Sequence, residues 1–127
     1  MKKLVLMIAA FFAAVLPAHA ADVKAEIVNA EIHAGLAIQA ISLDGVHMHL
    51  HHALNCLVGP NGEGFDSKQM NPCANDGNGA IPDTANAATK AKLQSAAADA
   101  SQGIADTNLA SAQQEAAAAD ATLKAVN

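Results

Sequence analysis

The chain has 127 residues, 52% of them hydrophobic but only 2% aromatic, and seven lysines face twelve carboxylates for a formal charge of -5. That acidity argues against nucleic acid or an anionic membrane surface as a partner and favours cations. With Phe65 the one aromatic beyond residue 20, the core has to be built from Leu, Ile, Val and Ala, which bury less area per residue.

Lys2 and Lys3 precede an apolar run from Leu4 to Leu16, and Pro17-Ala18-His19-Ala20 supplies the small residues after which a signal peptidase cuts. Residues 1–20 therefore read as a signal peptide of the general secretory type, and 21–127 as one mature domain, periplasmic or secreted. The apolar run is too short to cross a bilayer, and no other stretch approaches the ~20 apolar residues of a membrane helix. No membrane anchor is expected. Removing Lys2 and Lys3 takes the formal charge from -5 to -7, because the carboxylates all lie beyond residue 20.

The mature chain opens on a helical pattern over 22–57. Val28, Ile32, Leu36, Leu43, Val46, Leu50, Leu54 and Leu57 recur at helical steps and form one apolar stripe. Asp44-Gly45 interrupts it: Gly costs about 1 kcal/mol in a helix interior relative to Ala, and the pair can also be a turn between two shorter helices. The stripe keeps its phase across the pair, which favours one continuous helix.

Residues 58–82 are rich in Gly, Asn, Asp and Pro and read as a long irregular loop. Cys56 and Cys73, an even count in an exported chain, read as a disulfide that ties this loop to the end of the first helix, worth roughly 3 kcal/mol in the chain-entropy model. Asn75-Asp76-Gly77-Asn78-Gly79 lacks the alternating acids and terminal Glu of an EF-hand and reads as plain turns. An alanine-rich helix over 83–102 follows, capped by Asp83, with Leu93, Ala97, Ala100 and Ile104 inward and Gly103 at its end. Asp106 or Thr107 starts a last helix over 106–126, where Leu109, Ala112, Ala116, Ala119, Leu123 and Val126 keep a heptad-like spacing. The predicted class is all-α, a helical hairpin or three-helix bundle.

Four of the five histidines beyond residue 20 fall in His47-Met48-His49-Leu50-His51-His52. On a continuous helix His33, Asp44, His47 and His51 share one face, and His49 with His52 another. His47 and His51 make the i, i+4 pair that reaches one metal from adjacent turns, with Asp44, His49, His52 or His33 contributing further ligands. Neutral imidazole suits copper and zinc, and Met48 offers a thioether to copper, although a lone Met is more often packing. The expected cofactor is thus a copper or zinc ion, held for buffering, sequestration or delivery.

Three other readings remain open at this stage. The histidines can be a solvated helix end favoured by the macrodipole, although four within six residues exceed what that requires. They can hold a b-type haem, with His33 and His47 or His51 as axial ligands. They can instead tune self-association, or docking to a periplasmic protein partner, by protonation between about pH 5 and 7. A homodimer would complete a half-site of two histidines. No serine lies in a nucleophile-elbow context and no Gly-rich phosphate loop follows a strand, so no enzymatic activity is expected.

Overall fold

The computed structural model describes residues 20–127. The signal peptide expected over residues 1–20 lies, apart from Ala20, outside the described residues. Those described form an all-α fold: α1 (Val23–Gln39), α2 (Leu43–Val58), the single turn α3 (Ala80–Asp83), α4 (Ala87–Ala105) and α5 (Leu109–Lys124).

The first expected helix, 22–57, is two helices. Gln39 ends α1, Ala40 is extended, Ile41 stands 96% exposed, and Ser42 caps α2 by accepting the Gly45 backbone N–H on its Oγ at 3.1 Å. Asp44-Gly45 lies inside the first turn of α2, so the break comes earlier than the glycine suggests. The three-residue connection reverses the chain, so that α2 packs back along α1 with His49 against His33. Continuity of the stripe was misleading, because after a reversal each helix presents its own face to the core.

That reversal changes which residues are buried. On α1 the core face is Ile27, Ala30, Ala34 and Ala37, the alanines with no exposed surface, while Ile32 is 52% and Leu36 39% exposed. On α2 the expected stripe holds, with Val46, Leu50, Leu54 and Leu57 buried. Alanine contributes little hydrophobic signal to a pattern, yet it lets neighbouring backbones approach closely.

Four long helices make an up-down-up-down bundle rather than the hairpin or three-helix bundle expected. Extensive contacts join α1 to α2, α2 to α4, α4 to α5 and α5 to α1, while α2 and α5 meet only lightly across the diagonal. Gln113 on α5 donates to the carbonyls of Ile38 and Ala40, both at 3.0 Å, and Asn127 donates to Glu31 at 2.8 Å, which closes the ring between the last helix and the first. Leu93, Ala97 and Ala100 of α4 and Ala112, Ala116, Ala119 and Leu123 of α5 are buried as expected. The helix expected over 83–102 begins later: α3 ends at Asp83, and Asn86 caps α4 through the backbone N–H of Thr89. Gly103 does not end α4. It is buried within it, where a Cβ would come 2.6 Å from Cδ1 of Leu50. The last helix, expected over 106–126, is capped by Asn108 rather than Asp106 or Thr107.

Cys56 and Cys73 form the expected disulfide. The loop it closes is also clamped by Asn55, fully buried, whose Nδ2 donates to the carbonyls of Asp66 and Met70 and whose Oδ1 accepts the Asp66 N–H. Gly59 and Gly79, both at positive φ, let the start and end of the loop cross at a separation that a Cβ on either would close. Buried Glu26 accepts the Gly79 N–H at 2.8 Å and fixes the loop's end to α1.

Candidate metal centre

The α1–α2 reversal decides which histidines meet. His33 lies as far before Ile41 as His49 lies after it, so antiparallel packing sets the two rings opposite each other. His52, one turn beyond His49 on α2, comes to the same place. Each of the three offers one ring nitrogen, and these atoms all lie within 4.8 Å of one another.

The geometry within this cluster is tight. Nδ1 of His33 and Nδ1 of His49 are 3.3 Å apart, so without a metal one must carry the proton that the other accepts. His52 stands edge-on to both, its ring centroid 4.9 Å from that of His33 and 5.9 Å from that of His49. His52 is only 6% exposed, and its Nδ1 is buried with no hydrogen-bond partner. In a tetrahedral site with metal–nitrogen bonds of about 2.0–2.1 Å, neighbouring ligand atoms lie about 3.3–3.4 Å apart. The His33–His49 separation has that value.

Burial keeps two of the rings, His33 and His52, in the ligating form. Burial, followed by the neighbouring His52 and His49, pushes His33 down to about 4. His52 is also lowered, first by burial and then by His49 and His51. Both imidazoles are neutral at pH 7, with lone pairs free for a cation. Three imidazoles converging on one point can hold a metal ion. They come from one chain, so a third histidine does not require a second copy.

The remaining expected ligands lie elsewhere. His47 turns to the other side of α2, where its Nε2 is 2.9 Å from the carbonyl oxygen of Asp106, between α4 and α5. His51 faces the loop, its Nδ1 3.9 Å from Asp66 and without a hydrogen bond. Asp44 is an exposed residue of the first turn of α2 and does not join the three-histidine group. The i, i+4 pair His47 and His51 is therefore not where the histidines converge; the pair within α2 that converges is i, i+3, His49 and His52. His33 keeps company with those two, so it faces neither His47 nor His51 across a porphyrin, and its 3.3 Å approach to His49 leaves no space for one there.

Two buried polar residues that the sequence reading did not single out shape the surroundings. Asn55 holds the loop across α2 one turn after His52, and Glu26 sits on α1 two turns before His33. Ser42 before Leu43-Asp44 was the available signal for the α1–α2 break, as an N-cap residue at a helix start. A cleft of about 470 Å³ lined by Val58, Glu63, Ile81, Gln94 and Ala97 lies away from the histidines, none of which borders it.

Comparison with known proteins returns no match: no family model, no curated protein and no solved structure. Functional assignment therefore rests on the site itself.

Proposed function

We propose that this protein is an exported, non-enzymatic binder of a transition-metal ion, copper or zinc, held by His33, His49 and His52 for buffering, sequestration or delivery. The observation that carries the reading is the convergence of three histidines, each with a ring nitrogen within 4.8 Å of the others. The depressed His33 and His52 support it, because protons compete poorly for these nitrogens at neutral pH.

Export belongs to the proposal through the basic and apolar start of the sequence and the disulfide, which suits an oxidising compartment. No described helix is long and apolar enough to cross a membrane.

Calorimetric titration with zinc and with copper tests the assignment. H33A/H49A should weaken binding by about a hundredfold or more, whereas H47A/H51A should stay within about threefold of the parent. Equal losses in the two double variants, or no binding by the parent chain, overturns the reading.

A further inference from the structure

Three histidines leave one position of a tetrahedral ion open, and the one thioether on α2 is Met48. It immediately precedes His49 and lies one turn before His52, so its side chain rises from the His52 side of the helix. The packing role that a lone Met usually fills does not apply, because Met48 is 42% exposed. Met70, the other methionine of the described chain, is 58% exposed. Its carbonyl oxygen is held at 3.1 Å by Asn55, one turn beyond His52. Both methionines thus keep a large part of their surface in solvent, in a protein whose core is short of large apolar side chains.

We infer that Met48 is the fourth donor of the site, supplying a thioether sulfur that makes it selective for cuprous copper over zinc. This rests on the His33–His49–His52 reading and sharpens it. Thioether sulfur is a soft ligand that favours Cu(I), while Zn(II) with three imidazoles completes its shell with water and gains little from it. The helix fixes Met48 on the same face as His52, one turn away, before any metal arrives. Met70, carried by the loop, serves as the control.

The test compares the parent protein with M48L and M70L, each replacement close in volume and lacking only the sulfur. Cu(I) affinity is measured without oxygen against a chromophoric cuprous chelator, with ascorbate as reductant so that the disulfide stays intact. Zn(II) affinity is measured in parallel. M48L should weaken Cu(I) by about tenfold or more and leave Zn(II) within about twofold, with M70L like the parent for both. X-ray absorption of the Cu(I) form should show a copper–sulfur scatterer that M48L abolishes. Unchanged Cu(I) affinity in M48L, equal loss of both metals, or loss in M70L instead overturns the assignment of Met48. Zinc binding by the parent checks the histidine site separately: zinc bound without a cuprous preference removes this inference alone, and neither metal bound removes both.

Discussion

Glu26 and His33 lie two turns apart on α1, each at least partly enclosed by α2 and what it carries, yet the protein resolves their burial in opposite ways. Glu26 has no exposed surface, one oxygen bonded to the Gly79 N–H and the other unpartnered. Burial raises it to about 7 against the Gly79 hydrogen bond, which lowers it, with Asp83, Asp76 and Asp22 adding smaller upward pushes. His33 moves down to about 4. Both groups avoid a buried charge, one by keeping a proton and the other by losing it. The consequences differ: a protonated carboxyl is a poor ligand and serves to fasten the loop, whereas a neutral imidazole beside two others presents a lone pair to a metal.

The disulfide lies at the Glu26 end, where Cys73 Sγ is 3.7 Å from the Glu26 carbonyl oxygen, and its removal gives the largest effect. Replacing both cysteines by serine should cost about 3 kcal/mol in urea denaturation, since the bond closes a separation of 17 residues. With the loop released, Glu26 should return toward the ordinary carboxyl range. Stability that still tracked a group near pH 7 in that variant would contradict the coupling of loop and carboxyl.

Glu26 itself gives the next effect. Its folded value lies above its unfolded value, so its contribution is fully present below about pH 4.5 and is lost as pH rises through about 7. The loss should be of order 3 kcal/mol, because a tenfold change in proton affinity corresponds to about 1.4 kcal/mol. E26Q keeps the acceptor for the Gly79 N–H without the charge, and its stability between pH 5 and 8 should be nearly flat in chemical denaturation. An equal slope in parent and E26Q would assign the pH dependence elsewhere.

His33 supplies the smallest effect and the opposite sign. Its folded value is depressed, so its contribution is present above about pH 6.5 and lost as pH falls toward about 4. H33Q should remove about 2 kcal/mol of acid destabilisation between pH 6 and 4 in metal-free protein. An unchanged acid limb in H33Q would show that burial does not hold His33 neutral.

Much of the fold was legible because it depends on local chemistry. Helix-forming alanine runs, the Gly- and Asn-rich loop and an even cysteine count pointed to an all-α, disulfide-closed domain. The burial of Ala112, Ala116, Ala119 and Leu123 followed from their spacing alone. The misreadings on α1 share one cause. Val28, Ile32 and Leu36 looked like core because large apolar residues dominate a hydrophobic pattern, but the bundle buries Ala30, Ala34 and Ala37, whose small size lets α1 approach its neighbours.

The site was half legible for the same reason. Histidine density marked the segment, and its side chains include two of the three that converge. What the sequence alone determined is therefore the material: helices, a cross-linked loop and a concentration of imidazoles on one of them. Only the tertiary structure decided the selection, because one reversal at Ala40–Ser42 places His33 against His49 and His52 and sends His47 to Asp106 and His51 to Asp66. Helical periodicity relates residues on one helix; which residues of two helices meet is set by where the chain turns and by how closely small side chains let the helices pack.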